Sequence, residues 1–156
     1  MTTQLSQTRN SEYKYPAPAF SLFQKVVRAL VVSPHLEVRQ PLLRTLDTLS
    51  IDVITCSTVA QAREFLLRDT VDIVFCDEHL PDGQYSDLVH LKDGAHTMPR
   101  IVIATRTGEW ELYFEALRHG AFDVIRSPWH PTDVEMVILR ALREAASKGL
   151  ARSASA

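Results

Sequence analysis

Polar and titratable residues follow each short apolar run of this sequence, at the points where strands would end. They are Ser33, Pro34 and His35; Cys56 and Ser57; Asp77, Glu78 and His79; Thr105 and Arg106; and Ser127 and Pro128. In folds built on a parallel sheet, ligand chemistry is found at the carboxyl ends of the strands. Asp77 has two interpretations at such an edge: a reactive carboxylate, or an acceptor of hydrogen bonds from nearby backbone N–H groups.

The composition excludes several function classes. The 156 residues, about one domain in length, contain 17 Lys and Arg against 19 Asp and Glu, a formal net charge of −2. A nucleic-acid-binding domain usually has a clear basic excess, so we expect no nucleic-acid partner. The five glycines are too far apart for a Walker loop or a dinucleotide-binding turn. No nucleophile and base lie at a recognisable spacing, so we expect no enzymatic activity.

Cysteine usage and hydropathy indicate a cytoplasmic protein. Cys56 and Cys76 are too few for a disulfide scaffold, and we predict no disulfide between them. No apolar run approaches the roughly 20 residues of a membrane span, and the N-terminus has no apolar region typical of a secretory signal. The sequence therefore predicts neither a membrane partner nor export.

Strand-like and helix-like patterns alternate along the chain. The strands are predicted at 26–32, 51–55, 71–76, 100–104 and 121–125, with a helix after each, and Ser33 is predicted to cap the first helix. Five such units predict an α/β fold, a doubly wound five-stranded parallel sheet of the flavodoxin-like (βα)5 type. We assign residues 1–24 to a flexible N-terminal arm, 25–146 to the domain and 147–156 to a C-terminal tail.

Three segments carry a resemblance to a known family. They are VDIVFCDEHLPDG at 71–83, RIVIAT at 100–105 and LRHGAFD at 117–123. Together they resemble the receiver domains of bacterial response regulators, the CheY-like family, over about residues 25–146. The resemblance implies the strand order 2-1-3-4-5. It also places Asp77 on the phosphorylated aspartate and Thr105 on the switch residue of that family, and Arg39 matches the arginine of its first helix.

The departures from the family pattern are as informative as the matches. The resemblance places the acidic pair that holds Mg²⁺ at Ser33 and Pro34, and the lysine before a proline at Ser127. One carboxylate makes a poor Mg²⁺ site, and the lost lysine removes a second positive group. We therefore expect an atypical receiver, a pseudo-receiver in which phosphorylation of Asp77 is absent or strongly impaired. A functional phosphorelay receiver, phosphorylated on Asp77 by a histidine kinase, is the alternative.

No cofactor is expected, with Mg²⁺ required only if phosphorylation is retained. His35, His79 and His130 follow strands one, three and five of the implied order, so they are weak candidates, with Asp77, for a transition-metal site. Loop histidines need not point toward one another, and for this reason we expect no metal here. Thr105 also has a simpler interpretation, as the cap of the helix that follows it.

The expected output is protein binding by a stand-alone receiver domain in two-component signal transduction. In the family that the sequence resembles, the face formed by helix four, strand five and helix five serves this purpose. Trp110 and Trp129 are our candidates for exposed aromatic residues on that face, while Tyr113 falls on the stripe predicted to be buried. A histidine kinase, an output protein or a second copy of the chain would bind there.

Overall fold

The structure is a computed structural model that describes residues 26–91 and 99–155. Five strands form its central sheet. They are β1 (Arg28–Val32), β2 (Asp52–Cys56), β3 (Ile73–Asp77), β6 (Arg100–Thr105) and β7 (Asp123–Arg126), and a two-stranded hairpin adds β4 (His79–Leu80) and β5 (Gly83–Gln84). Every pairing in the central sheet is parallel, in the order β2-β1-β3-β6-β7. The predicted fold class and strand order are confirmed.

Helices connect the strands and cover both faces of the sheet. They are α1 (Leu36–Thr48), α2 (Val59–Arg68), α3 (Tyr85–Val89), α4 (Trp110–Arg118) and α5 (Pro131–Ala154). Alternate strand residues face opposite sides, which gives two cores. One, with Val31 and Phe75, packs against α1 and α5, and the other, with Leu30 and Val74, packs against α2, α3 and α4. Burial on both faces explains the β-branched runs of the sequence.

The β4–β5 hairpin was not predicted. It surrounds the turn that Pro81, Asp82 and Gly83 were expected to make, and its strands have only two residues each. The Asp82 carboxylate accepts hydrogen bonds from the backbone N–H groups of Val59 at 2.7 Å and Ala60 at 3.0 Å. These bonds lower the pKa of Asp82 and tie the hairpin to the first turn of α2.

The structure differs from the sequence-based expectation at one helix start, since Ser33 does not cap α1 and His35 occupies the N-cap position. At the other end of the chain, α5 continues to Ala154, so most of the predicted tail at 147–156 is helical, while the domain boundary at 146 stays a prediction. Alanine, lysine and leucine favour helix strongly, and they outweigh the cost of the single Gly149 in this stretch.

The predicted N-terminal arm, residues 1–24, lies outside the described residues. Within the ranges 26–91 and 99–155, no helix is both long and apolar enough to cross a membrane.

Candidate functional site

Asp77 is the last residue of β3, the middle strand of the sheet. Its register partner on β6 is Ala104, so Asp77 and Thr105 lie side by side at the carboxyl edge. On the other side, Val32 of β1 pairs with Cys76, and Ser33 follows it directly. The topology thus brings Ser33, Asp77 and Thr105 together, as the sequence predicted for the loops after adjacent strands.

The Asp77 carboxylate is buried, with only 6% of its surface exposed. Its Oδ2 accepts a hydrogen bond of 2.8 Å from the Ser33 hydroxyl, and that hydroxyl in turn accepts one from the His35 backbone N–H. Oδ1 is buried without a hydrogen-bond partner. Burial raises the pKa of Asp77, and the Ser33 hydrogen bond and the nearby His35 and Arg106 counteract that rise in part.

A cavity of about 120 Å³ opens beside this carboxylate. Its lining residues are His35, Asp77, Glu78, His79, Ala104, Thr105, Arg106 and Thr107. Ser127, at the position of the family lysine, is not among the lining residues; it follows β7, and its backbone N–H donates to the Thr105 carbonyl oxygen. Pro34 is likewise absent from the lining. The Arg126 side chain lies beside Gly108 and is not among the lining residues of the cavity.

The sequence did not single out Arg106 and Glu37 as functional residues. Arg106 Nη1 donates to Glu37 Oε1 at 3.0 Å, and both side chains are exposed at the rim of the cavity. His35 lies between Glu37 and Asp77, with Nδ1 3.9 Å from Glu37 Oε1 and Nε2 3.9 Å from Asp77 Oδ2. The cavity is therefore lined by three basic side chains, His35, His79 and Arg106, and among the described contacts none of them donates a hydrogen bond to Asp77.

The residues around Asp77 fit a metal poorly. In the part of the chain that the structure describes, no three His, Cys, Asp or Glu side chains come together as metal ligands. Of the three histidines considered above, His35 and His79 line the cavity with Asp77, whereas His130 does not. His79 lies on an exposed hairpin strand, with Nε2 3.5 Å from Glu78 Oε1. His130 is the N-cap of α5, and its backbone N–H donates to the Asp133 carboxylate. Each histidine is held by its own local contact.

Thr105 is buried and contacts the loop that follows β6. Its hydroxyl oxygen accepts a hydrogen bond from the Thr107 backbone N–H at 3.2 Å and lies 3.2 Å from the Thr107 hydroxyl. It does not cap α4, because that helix begins at Trp110 with Glu109 as its N-cap. Thr105 thus stabilises the loop that places Arg106 over the cavity.

Comparisons with known proteins agree with this geometry. No family model matches the chain. The response regulator protein PilR of Pseudomonas aeruginosa is 31% identical over 116 residues, which are 74% of this chain and 26% of PilR. The chain therefore spans about a quarter of the length of that relative.

Solved structures show the same architecture. The signal receiver domain of an HD domain-containing protein from Pseudomonas fluorescens matches with a TM-score of 0.69 at 20% identity, over 79% of this chain and 99% of that one. A response regulator receiver domain protein from Clostridium thermocellum matches with a TM-score of 0.67 at 23% identity, over 77% and 97%. The chain folds as a response-regulator receiver domain.

The two tryptophans of the receiver domain lie in different surroundings. Trp110, at the start of α4, is 74% exposed and meets Tyr113 edge to face, with ring centroids 6.3 Å apart. Phe114, which the sequence did not suggest, is 60% exposed and continues this aromatic patch. Trp129 is half-buried and packs on the core between β-sheet and α1 and α5. The loop before α5 turns Trp129 toward α1, and its role in partner binding stays a prediction.

Both cysteines of the receiver domain are free and buried. Cys76 packs in the core beneath α2 and α3, and it is not among the residues that line the cavity beside Asp77. Burial raises the pKa of Cys56 to about 11 and that of Cys76 well above its ordinary value. Neither thiol forms appreciable thiolate at neutral pH.

Proposed function

We propose that this receiver domain acts mainly as a protein-interaction module in two-component signalling, with Mg²⁺-dependent phosphorylation of Asp77 absent or strongly impaired. The observation that carries the proposal is the hydrogen bond from the Ser33 hydroxyl to Asp77 Oδ2. A hydroxyl here occupies the space where the family places an acidic group. It adds no negative charge and uses one of the two Asp77 oxygens.

Charge balance explains why this site transfers a phosphoryl group poorly. Phosphoryl transfer needs positive charge at the moving group, normally from a divalent metal and a lysine. Asp77 and Glu78 both line the cavity, but Glu78 Oε1 lies 3.5 Å from His79 Nε2. With Asp77 as its only carboxylate ligand, Mg²⁺ would keep most of its water ligands and be held weakly. Ser127 carries no charge, and Arg106 is engaged with Glu37. Mg²⁺ and other cofactors therefore have no part in the proposed function.

The alternative, a phosphorelay receiver, has one specific observation in its favour. Asp77 Oδ1 is buried, has no hydrogen-bond partner and borders the cavity. This oxygen has no hydrogen bond to lose when it attacks a phosphoryl donor, and His35 and Arg106 are basic groups near the carboxylate. In this alternative a histidine kinase supplies the phosphoryl group.

Intact-mass measurement after treatment with acetyl phosphate and Mg²⁺ distinguishes the interaction module from the phosphorelay receiver. We expect no added phosphoryl mass on the wild-type chain. The matched variant Ser33→Asp with Ser127→Lys restores a carboxylate and a cation at the two altered positions, and it is expected to gain one phosphoryl group. Asp77→Asn in that background must abolish the gain. A phosphoryl group on the wild-type chain that Asp77→Asn removes would overturn the proposal.

The aromatic patch of Trp110, Tyr113 and Phe114 is the proposed binding surface. Exposed aromatic side chains are favoured in the centres of interfaces, and a second copy of the chain is the partner that can be tested without knowing the pathway. Sedimentation velocity should show self-association that Phe114→Ser weakens. Leu67→Ser, which removes a comparably exposed apolar side chain from α2, is the control and should leave it unchanged. A monomer at all concentrations would leave a kinase or output protein as the only proposed partner.

A further inference from the structure

A groove runs between α1 and the start of α5, on the face of the sheet opposite the aromatic patch. Its volume is about 430 Å³, and its lining residues are Pro41, Arg44, Thr45, Thr48, Leu49, Trp129, Pro131, Thr132 and Glu135. Trp129, which is half-buried, lines the groove together with Pro41 and Pro131. Grooves lined by aromatic side chains bind extended, proline-containing chains.

The chain enters the domain at one end of this groove. The Val27 carbonyl oxygen accepts a hydrogen bond of 3.0 Å from the Asp52 backbone N–H, just after the end of α1. Val27 is buried in the same core cluster as Leu49, which lines the groove, whereas Val26 is 72% exposed. The residues that precede Val26 therefore start beside the Leu49 end of the groove.

The preceding sequence has the composition that such a groove binds. Residues 11–20 read SEYKYPAPAF, with two prolines among three aromatic side chains. Pro16 and Pro18 disfavour helix and favour the polyproline II conformation, which leaves the backbone without internal hydrogen bonds. Such a segment loses little conformational entropy on binding, and its aromatic rings supply the contact area.

We propose that the segment from Tyr13 to Phe20 of this same chain docks in the groove between α1 and α5, with its prolines and aromatic rings against Trp129. Val26 lies 13 residues after Tyr13, and this length spans about 40 Å in the polyproline II conformation. The 13-residue α1 is about 20 Å long, so the segment reaches the far end of the groove. Glu135 of α5 lines the same groove and offers Lys14 an oppositely charged partner.

Tethering favours this occupant over a free partner. A segment joined to the domain by a short linker has an effective concentration in the millimolar range, without any loss of translational freedom on docking. The opposite charges of Lys14 and Glu135 set the direction of the segment along the groove. Docking this arm covers the exposed side of α1 independently of any event at Asp77.

Fluorescence of the full-length chain tests the proposal directly. Trp110→Phe leaves Trp129 as the only tryptophan, and position 110 is exposed, so the fold tolerates the change. In this background, Tyr13→Ser with Tyr15→Ser is expected to increase acrylamide quenching of Trp129 and to shift its emission to longer wavelength. Leu5→Ser, which removes an apolar side chain outside the docked segment, should change neither. Unchanged quenching in the tyrosine variant would overturn the proposal.

A charge exchange makes the test specific to this orientation. Glu135→Lys should increase quenching of Trp129 because it repels Lys14, and Lys14→Glu in the same chain should restore the original value. Arg9→Glu is the matched control. In the Glu135→Lys background it should not restore the original quenching of Trp129. If protection of Trp129 instead rises with protein concentration, a second copy covers the groove and the intramolecular docking is wrong. Both readouts are independent of phosphorylation, so they do not depend on the function proposed above.

Discussion

Two buried aspartates of this domain have opposite surroundings. Asp123, at the start of β7, is 9% exposed, and both its oxygens are used: Oδ1 accepts from the Val124 N–H at 2.8 Å and Oδ2 accepts from the Arg140 guanidinium of α5. Asp77, at the end of β3, has one hydroxyl donor and one oxygen without a partner. The chain therefore neutralises a buried carboxylate at the amino edge of the sheet and leaves one incompletely satisfied at the carboxyl edge, where ligands bind in this fold.

The largest effect should follow from breaking the satisfied pair. Arg140→Ala leaves Asp123 buried without its cation and also removes the guanidinium from the face of the Phe122 ring, 5.5 Å away. We expect the free energy of unfolding to fall by about 2 kcal/mol, since hydrogen bonds to charged groups contribute at that level. Urea denaturation measures the change. Arg143→Ala, on an exposed position of the same helix, is the control. An equal loss there would show that the effect does not come from the pair with Asp123, since alanine itself favours helix.

A smaller loss is expected at the unsatisfied aspartate. Ser33→Ala removes the one hydrogen bond to the Asp77 side chain, and we expect a loss of about 1 kcal/mol in the free energy of unfolding. Without that donor the pKa of Asp77 should rise further. Ser147→Ala removes a hydroxyl that donates to the Arg143 carbonyl oxygen on the exposed helix surface, and it should be nearly neutral. If Ser33→Ala were neutral too, the hydroxyl would contribute nothing to the burial of Asp77.

The two aspartates also differ in how far the sequence predicted them. Asp77 follows an apolar strand and precedes a Pro-Asp-Gly turn, a local pattern that identifies it and its place at the sheet edge. The sequence placed Asp123 in the fifth predicted strand. It did not indicate that the Arg140 guanidinium, on the next helix, would donate to the Asp123 carboxylate. Which of the several arginines meets a buried carboxylate depends on how α5 packs, and no local spacing encodes it.

The same limit explains the other errors at the site. Strand order and the two-sided core could be predicted because each strand and helix carries its own periodicity. The rim pair of Arg106 and Glu37 joins residues 69 positions apart, so only the assembled sheet edge shows it. The position of Trp129 is set by a loop, where periodicity gives no information about the direction of a side chain.

The stability of the wild-type chain should depend on pH in a way that the stability of Asp77→Asn, which cannot titrate at position 77, does not. Burial raises the pKa of Asp77 above its ordinary value of 3.8, so the folded state binds this proton more tightly than the unfolded chain does. The contribution of Asp77 to stability is therefore fully present below pH 3.8 and is lost as the pH rises through the raised pKa. Asp77→Asn has no such loss.

Denaturation midpoints of wild type and Asp77→Asn, measured from pH 3 to 8, test this sign. The difference in unfolding free energy should move in favour of the variant as the pH rises through that window and then become constant. Asp82→Asn is the opposite control, because backbone hydrogen bonds lower the pKa of Asp82. A wild-type chain that gains stability over the window relative to Asp77→Asn would show that Asp77 is stabilised as the anion.

The smallest change in stability should come from the pair of Glu37 and Arg106 at the rim of the cavity. The same change tests directly whether Asp77 has a cation partner, as Asp123 does. The Glu37 and Arg106 side chains are both exposed, so Glu37→Gln should alter the free energy of unfolding by less than about 0.5 kcal/mol. The carboxylate of Glu37 raises the pKa of Asp77, and its removal also frees Arg106 to approach Oδ1. The pKa of Asp77, followed by carbon-13 NMR of its carboxyl group, should therefore fall. Glu144→Gln, which breaks an ion pair with Arg100, is the matched control and should leave that pKa unchanged. If Glu37→Gln also leaves it unchanged, Arg106 does not reach Asp77, and the buried carboxylate lacks the cation that Asp123 has in Arg140.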